Sequence, residues 1–445
     1  MTTATQKQPP ASDRHRNSTI RAVLSPWREV PFLGWLLGAL AAVMLEHSVG
    51  SSLALTLGLR RIPVLFGFEL MLKAPQHIPG MLVYLVLVYM LPAALVAVAT
   101  RGLTNALAAR LLQSPALSLA VHLVLLYGCM HFWCALSDYR YLVAQLALIA
   151  VMLTLSLNVI NGYMGEFSCS HPGFMALGAY AASVLTVLLF VEDDVFGPPL
   201  LPPTLGPFLF PLALVAGGLV ASLGALAVAI PSFRARGDYL GVITLAFTFV
   251  VKSLFENLEI VGGPRGFMNQ PNWAGLPTVF VWAVVCVAVI NNFVRSTFGK
   301  ALNAVRDGET AAEAMTINTR RTKTVAFLSA AFWAGVAGGL FAHVVGYINP
   351  ATFGAQKLAE VLAMVYFGGL NSVIGSIAGG LGLTLFSEML RPLEVWKWVI
   401  IPMLLVLVMT RRPTGLIAFR EFDALKLLGP RGRWEGGVQD GTAGG

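Results

Sequence analysis

Seven histidines and four cysteines are the residues of this chain best able to hold a metal or attack a substrate, and their spacing assembles no local site. No histidine pair stands at HxxxH or HExxH spacing, the cysteines at 129, 134, 169 and 286 form no CxxC, and there is no GxSxG nucleophile turn. A Gly-x-x-x-x-Gly-Lys-Ser/Thr loop is also missing, so the chain does not itself bind ATP in the P-loop manner. His122, His131 and His343 are solitary, within or at the ends of apolar runs. An ionisable group at membrane depth is a functional candidate; unpaired, it is also a neutral, hydrogen-bonded packing residue. An intramembrane enzyme would need these three and Glu388 brought together in space. Cys129, Cys134 and Cys286 read as small packing residues.

The elements that must position these residues follow from composition. Of 445 residues 56% are apolar and only 12% charged, and the mean hydropathy is +0.73. A soluble domain carries roughly 25% charged residues, and a disordered chain is poor in apolar ones. The chain is therefore an all-α, polytopic bundle. Candidate spans are 32–59, 81–99, 116–134, 140–160, 172–190, 208–230, 239–255, 277–294, 324–347, 358–386 and 395–409, a count of about eleven within a range of ten to twelve. The 358–386 run is interrupted by Gly368-Gly369 and Asn371-Ser372 and reads as a hairpin of two short segments. The net charge of +8 comes in clusters beside apolar runs, a topology signal and not a nucleic-acid stripe.

The 191–207 loop holds Glu192, Asp193, Asp194 and five prolines without Lys or Arg, and faces outward. Arg234 and Arg236, the six basic residues of 295–323 and the six of 410–433 face inward. The first 30 residues, with Lys7, Arg14, Arg16, Arg21 and Arg28, have no apolar core and read as a cytoplasmic tail, which puts both termini inside. Arg60, Arg61 and Lys73 run against this alternation. The expected division is an N-terminal tail 1–30, an extra transmembrane region 31–135, a core 136–415 containing an inner loop 295–323, and a tail 416–445 whose Gly-rich end reads as disordered. Small-residue stripes, Ala213, Gly217, Ala221, Ala225, Ala229 and Ala331, Gly335, Gly339, allow close helix approach in lipid.

Three segments break the hydrophobic pattern. They are Asn161-Gly-Tyr-Met-Gly-Glu-Phe-Ser-Cys-Ser-His-Pro-Gly-Phe running into Gly178-Ala-Tyr180, Val261-Gly-Gly-Pro-Arg-Gly-Phe267, and Phe367-Gly-Gly-Leu-Asn-Ser-Val-Ile-Gly375. Irregular backbone at membrane depth survives only inside protein or along a watery cavity, and such breaks in both halves of a transporter point to its pathway. The middle segment reads equally as a surface turn. Candidate pathway residues are Asn158, Gly162, Tyr163, Gly165, Ser168, Gly178, Gly262, Gly263, Gly368, Gly369 and Asn371. In the inner loop Ala301, Val305, Gly308, Ala312 and Met315 share one face of a helix, with Lys300, Arg306, Asp307 and Glu309 off it. That helix suits a groove on another protein or the surface of an anionic bilayer.

At this loop a resemblance becomes specific. Gly299-Lys-Ala-Leu-Asn-Ala-Val-Arg-Asp-Gly-Glu-Thr-Ala-Ala-Glu-Ala-Met-Thr-Ile resembles the EAA-type coupling loop of ABC importer permeases, and more narrowly the LivM-type branched-chain amino acid permeases. Asn158-Val-Ile-Asn-Gly-Tyr-Met-Gly-Glu-Phe-Ser, Arg234-Ala-Arg-Gly-Asp-Tyr-Leu-Gly-Val-Ile-Thr-Leu-Ala-Phe, Gly262-Gly-Pro-Arg-Gly, Gly346-Tyr-Ile-Asn-Pro-Ala-Thr-Phe, Phe367-Gly-Gly-Leu and Arg411-Arg-Pro-Thr-Gly-Leu look like further family motifs. They span about 140–420; the first 130 residues carry no signature and are similar to an added helical region in longer members.

The resemblance implies a bacterial inner-membrane permease subunit for branched-chain or similar small hydrophobic amino acids. It implies a second, LivH-like permease, two cytoplasmic ATPase subunits and an external substrate-binding protein. ATP is then bound by the partners, with no cofactor or metal in this chain, and alternating access is driven by their hydrolysis. Gly299, Lys300, Ala304, Arg306, Glu309, Ala311 and Ala312 would seat on the ATPase. Arg234, Arg236 and Asp238 read as topology anchors. The same scaffold serves permeases for urea and short amides, and a self-sufficient secondary transporter or channel is a further class. The chain departs from the family at Met315-Thr-Ile, where Gly is usual before Ile, and at Cys169-Ser170, where Leu-Gly is usual, with Pro172-Gly173 after His171.

Overall fold

The computed structural model describes residues 27, 29–59, 62–67, 74–193, 195–232, 239–412 and 414–431. The described helices are α1 Phe32–Thr56, α2 Ile78–Leu85, α3 Leu91–Ala99, α4 Arg101–Leu111, α5 Pro115–Cys134, α6 Asp138–Asn158, α7 His171–Phe190, α8 Gly206–Ser232, α9 Tyr239–Asn257, α10 Leu276–Arg295, α11 Thr297–Asp307, α12 Glu309–Ala314, α13 Thr319–Val345, α14 Ala355–Gly368, α15 Val373–Met389, α16 Lys397–Arg411 and α17 Ala424–Leu428. Among the described residues, nine helical stretches are long and apolar enough to cross a membrane. Two shorter apolar helices, Val373–Met389 and Val399–Arg411, accompany them. In lipid each span must satisfy its own backbone, which is why the apolar runs emerge as helices and not as strands.

The chain divides into two compact units, residues 1–137 with 423–445, and residues 138–422. In the first, α1 packs against α3 and α5, and Ala54, Leu59, Met81, Tyr84 and Val88 form its core. The Glu46 carboxylate is buried there and accepts from the Tyr84 hydroxyl at 3.5 Å. His122 Nδ1 meets the Ser118 carbonyl at 2.7 Å, the hydrogen-bonded packing role.

The second unit is centred on α6, α7, α8 and α13. The small stripes meet here. A Cβ on Gly178 would overlap the backbone of Gly335, and one on Gly338 would overlap the Met175 carbonyl. Lipid offers no hydrophobic drive for association, so close backbone contact between α7, α8 and α13 supplies dispersion instead. Gly178 therefore sits at a helix crossing and not on a cavity wall. His343 is likewise satisfied, with Nδ1 at 2.7 Å from the Gly339 carbonyl and Nε2 at 2.9 Å from Thr186 Oγ1. The 358–386 run is two helices, α14 and α15, separated at Gly369–Ser372, with the Ser372 hydroxyl capping α15 through Gly375 N at 3.1 Å.

One local expectation is corrected. The inner loop is not one continuous helix. Gly308 takes an extended conformation (φ −178°, ψ 99°) and separates α11 from α12. The buried side is Gly299, Leu302, Val305 and Ala312, while Met315 is 75% exposed. The Asp307-Gly308 pair, poor in helix propensity, ends the first turn series before the face can propagate. Arg234, Arg236, Asp238, Arg60, Arg61, Lys73, Asp194, the N-terminal basic residues Lys7, Arg14, Arg16, Arg21 and Arg28, and residues 432–445 lie outside the described residues.

Candidate functional site

The first broken segment begins where α6 ends. Its last helical turn widens to a π turn over Val159–Met164 and stops at Gly165, which has φ +76°. Asn158 is fully buried there. Its amide nitrogen donates to Ser376 Oγ at 2.6 Å, the Ser372 carbonyl at 3.1 Å and the Gly369 carbonyl at 3.3 Å. Its amide oxygen accepts from Asn371 N at 3.2 Å. One side chain thus pins the first break to the third, 213 residues away. Gly162 is required beside it, since a Cβ would overlap the Asn158 amide and come 2.5 Å from Asn371 N. Irregular backbone is tolerated here because these side-chain bonds satisfy groups that the helices leave open.

The Phe367-Gly-Gly-Leu motif is held on its other side by the segment after α16. Leu416 N donates to the Phe367 carbonyl at 3.1 Å, Ile417 N to the Gly368 carbonyl at 2.9 Å, and Leu370 N to the Thr414 carbonyl at 3.1 Å. Gly368 and Gly369 carry no side chain because one would overlap the Gly375 carbonyl or press on Ile417. Ser168, Cys169 and Ser170 are buried and tied to α9: Cys169 N donates to Thr244 Oγ1 at 3.0 Å, and Thr248 Oγ1 to the Cys169 carbonyl at 2.8 Å. Burial pushes the Cys169 thiol above its ordinary range.

The inner loop docks on this same break. Arg306, in the last turn of α11, donates to the Gly162 carbonyl at 3.4 Å and lies over the Phe419 ring at 5.4 Å. Its stem fills the space that a side chain at Gly165 would need. Lys323, at the start of α13, is 8% exposed. Its ammonium stands 2.7 Å from Glu166 and 2.9 Å from Glu309. One buried cation therefore joins the Gly165-Glu166 turn, the first residue of α12 and the base of α13. Two carboxylates thus share one ammonium.

Of the inner-loop residues named from the sequence, Gly299 packs against the Val294 backbone, Ala312 is buried, and Arg306 points into the protein. Lys300 and Ala311 are exposed, Ala304 is half-buried, and Glu309 keeps 49% of its side chain accessible. Thr316, which stands where Gly is usual in the resembled motif, has φ +66°. A β-branched residue is strained in that left-handed conformation.

The second broken segment is elsewhere, at the end of the bundle opposite α11 and α12. Gly262, Gly263 and Gly266 have φ of +82°, +51° and +85° and border an open groove of about 620 Å³ with Glu259, Arg265 and Asn269. It pairs with the Gly346-Tyr-Ile-Asn motif: Phe267 N donates to the Ile348 carbonyl at 2.8 Å and Ile348 N returns at 3.0 Å, while the Tyr347 hydroxyl donates to the Arg265 carbonyl at 2.9 Å. Gly262 and Gly263 are thus not brought together with the other candidate pathway residues.

Sequence reasoning missed Lys357, Glu360 and Thr384. They line a cavity of about 150 Å³ between α6, α14 and α15. Charges inside an apolar span were the available signal. Among the described residues no group of three or more His, Cys, Asp or Glu could hold a metal.

Residues 139–409 match the family model described as branched-chain amino acid transport system permease component. The chain is 31% identical to the high-affinity branched-chain amino acid transport system permease protein LivM of Escherichia coli K12, over 62% of this chain and 69% of that protein. It is 26% identical to a probable LivM permease of Methanocaldococcus jannaschii, over 48% and 70% of the two chains. A shorter match, 26% identical over 29% of this chain and 41% of the relative, is to the autoinducer 2 import system permease protein LsrC of Photorhabdus luminescens. No solved structure matches. The match covers the breaks, the inner loop and the helices that hold them, and on that ground this multi-pass membrane chain belongs to the branched-chain amino acid transport permease family.

Proposed function

We propose that the chain is the membrane-spanning permease subunit of an ATP-driven importer of branched-chain amino acids in a bacterial inner membrane. It works with a second permease, two cytoplasmic ATPase subunits that bind the nucleotide, and an external substrate-binding protein. The 136–415 region is the permease core, 31–135 an added transmembrane region, and the tails 1–30 and 416–445 are cytoplasmic. The observation that carries this reading is the ionic junction of Lys323 with Glu166 and Glu309, together with the bond from Arg306 to Gly162.

An ATPase seated on Lys300, Ala304, Glu309 and Ala311 moves α11 and α12. These helices are bonded to the turn after α6 and, through Asn158, to the break between α14 and α15. Gly299, Arg306 and Ala312 act from inside, holding the docking helices to the core. Asn158, Gly162, Tyr163, Gly165, Ser168, Gly368, Gly369 and Asn371 form the hinge of the pathway, because a bonded, glycine-rich break can exchange between discrete arrangements. Force on the docking helices reaches both halves of the unit through a few hydrogen bonds.

The test is Glu309→Arg in the reconstituted complex. The expected result is a correctly inserted protein that no longer retains the ATPase subunits or takes up amino acid. Normal uptake with this substitution overturns the docking assignment. Solute flux through vesicles holding this chain alone, without ATP or binding protein, replaces the importer with a self-sufficient carrier.

A further inference from the structure

The cavity between α6, α14 and α15 lies at the end of the unit away from the docking helices. α6 enters the Gly162–Gly165 contact with Arg306 at its C-terminal end, and its middle turns, from Leu146 to Leu153, line the cavity, whose mouth residues Lys357 and Glu388 stand at the ends of α14 and α15 away from that contact. Its two ends differ in chemistry. The inner wall is apolar and closed: Ile149, Leu153, Met175 and Met364 are each at most 4% exposed. The mouth is charged. Lys357 pairs with Glu360 at 2.8 Å, with side chains 18% and 30% exposed, and the ammonium lies 5.6 Å from the Phe341 ring. Glu388 accepts from the Tyr139 hydroxyl at 2.7 Å. Thr384 is 7% exposed and its hydroxyl, on the cavity wall, has no hydrogen-bond partner.

We infer that this cavity is the transmembrane seat for the transported amino acid. The inference rests on the importer reading above and assigns its substrate a site. A zwitterion needs a cation and an anion at one site, and Lys357 and Glu388 both line this cavity. The Lys357 ammonium takes the solute carboxylate, while Glu388 takes the amino group. Opening the Lys357–Glu360 pair costs little, since partly exposed ion pairs are weak. An apolar cavity near 150 Å³ accommodates a molecule the size of benzene, so an isobutyl group fits and an indole does not. Thr384 gives the bound head group an unused hydroxyl. An empty packing void would have no reason to gather an ammonium, two carboxylates and a free hydroxyl at its rim.

The complex of this chain with its permease, ATPase and binding-protein partners, reconstituted in proteoliposomes, provides the test. In Lys357→Gln the leucine carried per ATP hydrolysed is expected to fall about tenfold. An unchanged ratio overturns the site. A second measurement holds even where that variant assembles poorly. In Ser387→Cys, on the cavity wall, a membrane-impermeant maleimide should label the new thiol, and millimolar leucine should slow labelling about threefold or more while tryptophan does not. A thiol that fails to label, or that leucine and tryptophan leave equally unprotected, overturns the proposal, and protection governed by lipid composition alone assigns the cavity to an acyl chain instead. The two readings fail separately: a wild-type complex that imports no leucine sinks the importer, while normal wild-type import with indifferent Lys357 and Ser387 variants sinks only the site.

Discussion

The two ends of the 138–422 unit use the same residue types for opposite purposes. At the end that carries α11 and α12, glycines at 162, 165, 368 and 369 remove side chains so that Asn158, Arg306 and neighbouring carbonyls can fill the space, and the Asn158 amide is hydrogen-bonded on both its nitrogen and its oxygen. At the other end, glycines at 262, 263 and 266 turn the backbone through positive φ around an open groove, and the nearby charged cavity mouth retains an unpartnered hydroxyl at Thr384. Glycine is a device for close approach in the first case and for chain reversal in the second. At the first end one bonded side chain, Asn158, ties two breaks of the backbone together; at the other the backbone turns around open space.

This contrast can be broken by substitution. The largest effect is expected from Asn158→Leu, which keeps volume but orphans the Asn371 N–H and the Gly369 carbonyl. It should lower stability by about 3 kcal/mol, read as a fall in the thermal unfolding midpoint of the purified protein. Lys323→Met removes the cation between Glu166 and Glu309 and should destabilise by about 2 kcal/mol, less than a fully buried pair because Glu309 is half-exposed. Restored stability in Lys323→Met with Glu166→Gln would confirm that carboxylate repulsion is the cause.

A paired comparison sharpens the role of glycine. Gly165 and Gly346 have φ +76° and +69°, but only Gly165 has a side chain, Arg306, in the space of a Cβ. Gly346→Ala should cost about 1 kcal/mol from backbone strain alone. Gly165→Ala should cost about twice that and should also impair uptake. Equal losses would remove the packing argument. Thr316→Gly runs the other way: relief of a strained φ of +66° should raise stability by about 1 kcal/mol, measured by denaturation of the same preparation.

The smallest effect concerns Asp193, outside the spans. Burial raises its carboxyl, but the Asn269 amide at 3.0 Å and the Val195 and Phe196 backbone N–H groups outweigh it, so the group titrates below its ordinary 3.8. A lowered folded value means that the contribution is full above the unfolded value and disappears as pH falls through the folded one. Asp193→Asn should therefore lose a few tenths of a kcal/mol at neutral pH and match the wild type in acid, checked by unfolding midpoints across that range.

Much of the architecture was legible locally. The interruption of the 358–386 run at Gly368-Gly369 and Asn371-Ser372 marked two helices because neither glycines nor a Ser cap continue a helical ladder. The break after Asn158 was visible for the same reason. The continuous face drawn through Gly308 failed because periodicity does not register one extended residue. The roles within the breaks were not legible either: Gly178 shares the glycine composition of Gly162, yet one meets a helix backbone and the other an asparagine side chain.

By itself, then, the sequence determined that this is a multi-pass helical permease. Hydropathy and self-satisfied backbone bonds act within one span, and the family motifs are contiguous strings. Only the tertiary structure decided what those motifs touch. Asn158 binding Asn371, Lys323 gathering Glu166 and Glu309, and Tyr139 bonding Glu388 each join residues from separate turns of the chain, and the chemistry of such pairs exists only once packing has brought them within a few ångströms.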